Sequence, residues 1–296
     1  MSASGNDHGI IVGVDGSPAS KVAAVWAARD AAMRHVPLTL VHVLPEPMIG
    51  MWPGPMLLDD YTSWQEAQGQ RILDEIRHVV DRAILDHQLV GVDQRSYVGA
   101  AIPTLVDLSK DADMIVVGCR GRSAVKRRLL GSVSTGLLHH AHCPVAVIHD
   151  EDPLMDHPAQ APVLVGIDGS PASESATAIA FDEASRRGVG LIAMHSWADD
   201  DLYNWAGIDW DRQLEIGREA LSERLAGWSE HYPDVTVDQR LVHGDAAEQL
   251  ITASEGAQLT VVGSHGRGGF TGMLVGSVSS AVVHGARMPV IVARQP

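Results

Sequence analysis

Cysteine is nearly missing from this chain of 296 residues, with Cys119 and Cys143 its only two. No disulfide framework can therefore support the fold, and a reducing compartment is expected. Long apolar runs are missing as well, since no uninterrupted stretch approaches the roughly 20 residues needed to span a bilayer. The opening segment, MSASGNDHGIIVGV, lacks a basic region followed by a long apolar one, so the expectation is a cytoplasmic protein with no membrane partner. Positive charge is scarce: the formal net charge is −15, which argues against nucleic acid, whose binding needs a basic face. Lysine does not occur at all between 151 and 296, and the pattern G-x4-G-K-[ST] occurs nowhere, so the P-loop way of holding a triphosphate is excluded.

What is present is enough for buried cores, with 45% hydrophobic residues and a length that accommodates about two domains. The charge divides unevenly. Residues 1–150 carry 13 Lys and Arg against 16 Asp and Glu, whereas 151–296 carry 9 against 21. An acidic surface keeps the protein soluble and repels free anions in general, so any phosphate site must be local.

The chain repeats itself. IIVGVDGSPAS (10–20) returns as VLVGIDGSPAS (163–173), LTLVHV (38–43) as LIAMHS (191–196), MIVVG as LTVVG, and CPVAVI as MPVIVA. The offset is 153 residues from Asp15 to Asp168 but 145 from Gly118 to Gly263. The first copy therefore holds extra residues between these landmarks, assigned to the Pro- and Met-rich segment 45–60. DEDPLMDHPAQAP, at 150–162, is polar, and its three prolines disfavour helices and central strands. This reading gives a first domain at 1–150, a linker at 151–162 and a second domain at 163–296.

In the first copy, short β-branched runs at Ile10–Val14, Leu38–Val43, Asp93–Val98, Met114–Val117 and Val145–Ile148 alternate with helical patterns. Strands apolar on both faces and separated by helices predict a parallel sheet covered on both sides. SPASKVAAVWAARDAAMRH begins with Ser17 as N-cap and Pro18 at the first helical position. The segment 61–87 is amphipathic, with Ile72, Ile76, Val79, Val80 and Ala83 expected on its inner side. The fold class is thus α/β, as two tandem, doubly wound, five-stranded parallel-sheet domains.

Two stretches stand out within this frame, GCRGRSAVKRRLLGSVS (118–134) and GSHGRGGFTGMLVGSVS (263–279). Both follow an apolar strand and share the spacing G-x2-G-x9-G-S: Gly118, Gly121, Gly131, Ser132, and Gly263, Gly266, Gly276, Ser277. Glycines permit close backbone approach, and successive N–H groups form anion-binding nests. The last glycine of each stretch, Gly131 or Gly276, opens a helix whose first N–H groups and dipole favour phosphate. Ser132, Ser134, Ser277 and Ser279 can add hydroxyl donors or cap that helix. Arg120, Arg122, Lys126, Arg127 and Arg128 concentrate five positive charges in the first loop. Glycine-rich turns with a capped helix and a solvated basic loop are the competing reading. Two copies, each paired with V-G-[VI]-D-G-S-P-A-S after the first strand, weigh against it. In a doubly wound sheet such loops meet at the switch point, where the first strand lies beside the fourth.

These motifs resemble the universal stress protein family, in particular its tandem two-domain members of the ATP-binding branch, over residues 9–149 and 161–294. The resemblance implies a Rossmann-like domain of the adenine nucleotide alpha hydrolase type, strand order 3-2-1-4-5, with ATP between strands one and four. It implies that Asp15 and Asp168 lie near the adenosine, that Gly13 and Gly166 let it approach, and that Val43 borders it. Gly118, Cys119, Arg120, Gly121 and Arg122, with Gly263, Ser264, His265, Gly266, Arg267 and Gly268, would contact ribose and phosphates. Gly131, Ser132, Val133 and Ser134, with Gly276, Ser277, Val278 and Ser279, would hold the phosphates. It further implies packing of the strand-five segments across an internal pseudo-two-fold, and leaves a homodimer, Mg2+ with the ATP, and an unidentified protein partner open. Where the second copy reads GRGGFTGM the first reads GRSAVKRR, so the two sites are expected to differ.

Three function classes are carried forward. A non-enzymatic, nucleotide-dependent regulator of stress response or growth leads, with one ATP site per domain. A slow ATPase or phosphoryl-transfer enzyme requires a residue that positions water or an acceptor in both copies, and none stands out. A scaffold with vestigial sites is the third. Among other candidates, HHAHC (139–143) suggests zinc, but His139 and His140 are helical neighbours pointing apart and the second copy reads HGARM, so no metal is expected. Cys119 is matched by Ser264, which favours a small side chain over a reactive thiol. His42 and His195 recur at the end of strand two, either bordering adenine or packed. Trp52, Trp64, Trp197, Trp205 and Trp210 either form lids over the nucleotide or anchor long loops, with anchoring the favoured expectation.

Overall fold

The computed structural model describes residues 9–46, 58–84, 90–121, 130–150, 157–197, 210–266 and 275–294. The chain forms two compact units, Met1–Asp150 and Glu151–Pro296. In the first, β1 (Ile10–Gly13), α1 (Pro18–Arg34), β2 (Leu38–Leu44), α2 (Leu58–Ala83), β3 (Val92–Val98), α3 (Ala101–Leu108), β4 (Met114–Gly118), α4 (Ser132–His140) and β5 (Val145–Ile148) follow in order. The second repeats the plan with β6 (Val163–Gly166), α5 (Pro171–Arg187), β7 (Leu191–Trp197), α6 (Trp210–His231), β8 (Val237–His243), α7 (Ala246–Ser254), β9 (Leu259–Gly263), α8 (Ser277–Gly285) and β10 (Val290–Ala293). The five strands of the first unit run in the order β3-β2-β1-β4-β5 and those of the second in the order β8-β7-β6-β9-β10. Every pairing within a unit is parallel.

The core strands are apolar on both sides, and Ile10, Ile11, Val12, Ile115, Val116, Ala146 and Val147 are fully buried. Helices α1 and α2 pack together on one face of the first sheet, and α3 and α4 pack together on the other. Since β1 leads into α1 and β4 into α4, neighbouring strands send their chains to opposite faces, which opens a crevice at their carboxyl ends. Alanines bring α1 close to the sheet. Ala19, Ala23, Ala24, Ala27, Ala28, Ala31 and Ala32 are all buried, and α5 likewise buries Ala172, Ala176, Ala180 and Ala184.

Helix α1 starts as its sequence dictates. The Ser17 hydroxyl accepts from the Ser20 N–H at 3.2 Å and Pro18 takes the first position, and Ser170 and Pro171 do the same for α5. The inner face of α2 departs from expectation. Ile76 and Val80 are buried, but the stripe continues through Leu73 and Ile84 rather than Ile72, Val79 and Ala83, which are half-buried. Ile72 is displaced from the core because it covers the turn after β1: a Cβ built on Gly16 lies 3.4 Å from its Cγ1. The length difference between the copies falls between β2 and β3, since Leu38 matches Leu191 but Val92 matches Val237. Most of segment 45–60, to which it was assigned, lies outside the described residues.

The edge strands β3 and β8 both begin Val-Asp-Gln-Arg, with Arg95 3.7 Å from Asp93 and Arg240 2.8 Å from Asp238. Charged side chains on a sheet edge discourage further strand addition.

Candidate functional site

In the first unit the crevice is built from the β1–α1 turn and the loop after β4. Asp15 Oδ1 accepts from the Ser17 N–H at 3.0 Å. Its other oxygen, Oδ2, lies so near Gly121 that a Cβ built there would stand 2.7 Å away. The Ser17 hydroxyl, besides capping α1, donates to the Arg120 carbonyl at 3.5 Å. Asp15 and Ser17 thus fix the loop that begins at Gly118. That glycine is itself forced by packing, because its Cβ would meet the Ala19 carbonyl carbon at 2.8 Å.

The far side of the loop is fastened to α4. Gly131 donates its N–H to the Cys119 carbonyl at 2.8 Å. The Ser134 hydroxyl faces the Gly131 carbonyl at 2.9 Å and the Cys119 carbonyl at 3.3 Å. Ser134 is buried, so its hydroxyl holds the loop and is turned away from a ligand. No serine caps α4 either: the N-cap is Gly131, without a side-chain bond. The expectation of serine caps and of a Ser134 hydroxyl donor is therefore corrected. What remains for an anion is the backbone of Ser132, Val133 and Ser134, whose N–H groups have no acceptor within the helix, and the exposed Ser132 side chain.

The second unit matches this almost atom for atom. Asp168 Oδ1 accepts from the Ser170 N–H at 2.9 Å, and a Cβ on Gly266 would lie 2.6 Å from Asp168 Oδ2. Ser170 donates to the His265 carbonyl at 3.2 Å, and Gly276 donates to the Ser264 carbonyl at 2.7 Å. Ser279 is buried, with its hydroxyl 3.1 Å from the Ser264 carbonyl and 3.0 Å from that of Gly276. Gly276 is the N-cap of α8, so Ser277, Val278 and Ser279 offer backbone N–H groups in the same way. Gly263 is closed against Ala172, whose carbonyl carbon is 2.8 Å from the built Cβ.

Other candidates occupy less central places. Gly13 and Gly166 end β1 and β6, and the space beside them is filled from within: their built Cβ atoms meet Leu105 at 3.2 Å and Leu250 at 3.0 Å. Packing of α3 and α7 is sufficient reason for these glycines. Val43 is half-buried near the end of β2, opposite Tyr97 of β3. His42 and His195 pin the crevice turns, with Nδ1 at 2.7 Å from the Val14 carbonyl and 2.5 Å from the Ile167 carbonyl. Arg122, Lys126, Arg127, Arg128, Arg267 and Gly268 lie outside the described residues, as do Trp52 and Trp205. Trp197 packs edge-on against His243, with ring centroids 4.8 Å apart, while Trp64 is exposed. Among the described residues no group of three His, Cys, Asp or Glu side chains is placed to hold a metal ion.

Cys119 is not an activated thiol. It is buried, and this burial pushes its pKa up by more than the hydrogen bond and charge of Arg120 bring it down. The Cys119 thiol lies 3.7 Å from Asp150 Oδ1, and the Arg120 guanidinium pairs with the same oxygen at 2.5 Å. Burial disfavours the Asp150 charge, but Arg120 outweighs it and holds the carboxyl below its ordinary range. Sequence reasoning missed Asp150, since nothing in its neighbourhood marks it. It also missed the bridging role of Ser17 and Ser170, although the repeated D-G-S-P-A-S carried that signal.

The universal stress protein family model matches residues 8–149 and 161–294. Universal stress protein Rv2623 of Mycobacterium tuberculosis is 54% identical over 295 residues, covering 100% of this chain and 99% of its own. Universal stress protein Rv2005c of the same organism is 50% identical over 295 residues, with 100% of both chains covered. Among solved structures, a universal stress protein from Archaeoglobus fulgidus superposes with a TM-score of 0.70 at 20% identity, over 98% of this chain and 100% of that one, a likeness of fold. No helix among the described residues is long and apolar enough to cross a membrane. With two family matches that together span nearly all of it, this chain belongs to the universal stress protein family, as a tandem two-domain member.

Proposed function

We propose that this protein is an ATP-binding regulator with one nucleotide site in each unit. The observation that carries the reading is the paired construction at α4 and α8. In both, a glycine N-cap is tied back to the preceding loop and leaves three first-turn N–H groups to receive phosphate. An acidic protein gathers this local positive potential at the same place in both copies, beside an aspartate.

Each part then has a role. The N–H groups of Ser132 to Ser134, and of Ser277 to Ser279, donate to the phosphate oxygens with the helix dipole behind them. Asp15 and Asp168 keep one oxygen on a backbone N–H, and their remaining lone pairs accept a ribose or adenine donor. That arrangement suits a hydroxyl or amine better than a cation, so Mg2+ would travel with the phosphates, where it offsets their charge. Binding rather than turnover is favoured because the sequence has no P-loop lysine and no residue that would position water or an acceptor stands out in both copies. Nucleotide occupancy then acts as a signal by stabilising the liganded state over the free one.

Equilibrium dialysis against ATP tests this. Two equivalents per chain are expected, falling to one in Gly131→Glu and in Gly276→Glu, each of which sets a carboxylate where phosphate belongs. No binding at millimolar ATP contradicts the proposal and favours a scaffold. Hydrolysis faster than about 1 per second, near the low end of enzyme rates, favours the enzymatic reading instead.

A further inference from the structure

The two sites share their backbone but not their charged neighbours. In the first, the residue whose carbonyl receives the N-cap serine is Arg120, and in the second it is His265. The Arg120 guanidinium is held by Asp150 through an ion pair of 2.5 Å, with only 17% and 28% of the two side chains exposed. Asp150 stands just beyond β5, and the Ile148 carbonyl fixes the base of the loop by accepting the Cys119 N–H at 2.8 Å. The Arg120 backbone in turn lies under the phosphate seat, since a Cβ built on Gly131 would be 3.6 Å from its Cα. The matching pair in the second copy, at the 145-residue offset, is His265 and Gln295, which lacks the carboxylate.

We infer that Asp150 is an internal competitor for Arg120, a latch that raises the ATP concentration needed to fill the first site and has no counterpart at the second. The inference rests on the proposed ATP sites. Arg120 is the one cation of the described first loop, and a guanidinium suits either a carboxylate or a phosphate, with the same fork of donors. A nucleotide phosphate arriving at the α4 N-terminus draws Arg120 toward itself only by giving up the pair with Asp150. The lost ion pair subtracts from the binding free energy of the first site alone.

Isothermal titration with ATP separates the outcomes when one site is silenced at a time. In the Gly276→Glu background, Asp150→Asn is expected to tighten first-site binding by about tenfold, the scale of one partly buried charge-assisted pair. In the Gly131→Glu background the same change is expected to leave the second site unaltered. In the presence of Arg120→Gln, Asp150→Asn is expected to lose its effect, because no guanidinium remains to be released. An unchanged or weaker first site in Asp150→Asn overturns the latch while the ATP sites stand. A gain that persists with Arg120→Gln also overturns it, since general charge repulsion then suffices. Absence of ATP binding in the unmutated protein overturns the latch and the proposed function together.

Discussion

Thr260 is fully buried in the middle of β9, between Leu164 and Val290, and its hydroxyl has no partner among the described residues. The first unit has Ile115 at the matching position. An unpaired buried hydroxyl costs on the order of 1–3 kcal/mol, so Thr260→Val is expected to raise the unfolding free energy by about 1 kcal/mol in a denaturant titration. His35 ends α1 in the left-handed region at φ 56°, where Gly188 ends α5 at φ 64°. A residue with a Cβ is strained there, so His35→Gly is expected to gain roughly 0.5–1 kcal/mol. For Asp150, the carboxyl held below its ordinary 3.8 has a definite sign. Its pairing contributes stability above the ordinary carboxylate range and loses it as pH falls through the lowered folded value. The stability gap between the native protein and Asp150→Asn should therefore be constant from about pH 5 to 8 and close in strong acid, as read by unfolding at each pH.

Helix placement shows how far local chemistry reaches. Ser17-Pro18 and Ser170-Pro171 mark the starts of α1 and α5 because cap and first-turn preferences act within four residues. The strands of the first unit were legible to within a residue or two; for β1, β4 and β5 this is because apolar runs buried on both faces have few alternatives, whereas β3 is a half-exposed edge strand. The phase of α2 was not. Ile72, Leu73, Ile76, Val79 and Val80 offer two overlapping apolar stripes, and only the position of β2 and of the Gly16 turn decides between them. The caps of α4 and α8 were misread for a similar reason, because the fold-back of Gly131 onto Cys119 is a long-range contact. The glycines of each loop also divide by what surrounds them. Gly118→Ala drives a Cβ into the Ala19 backbone at 2.8 Å, and is expected to cost about 1–3 kcal/mol by displacing the first turn of α1. Gly131→Ala meets its neighbours at 3.5 Å or more, so thermal unfolding should barely change. The pair of measurements separates glycines required by packing from those that leave room for a ligand.

At the scale of the whole molecule, duplication is what made the site legible. One glycine-rich loop is weak evidence for a ligand, but two loops on matching strands, each with an aspartate turn, led to residues that the structure places in contact: Asp15 with Gly121, and Asp168 with Gly266. The asymmetry was only partly legible. The loop difference is visible in the sequence, whereas the Arg120–Asp150 pair joins residues separated by 30 positions and emerges only from the β4–β5 edge. Net charge sharpens the expectation of two local seats, because an acidic chain that retains several equivalents of a polyanion must hold each at a specific place. The most direct measurement is native mass spectrometry of the protein after exposure to saturating ATP. The account predicts a mass increase of two nucleotides per chain, reduced to one by Gly131→Glu or Gly276→Glu. An increase of zero, or a count that neither substitution changes, would contradict it.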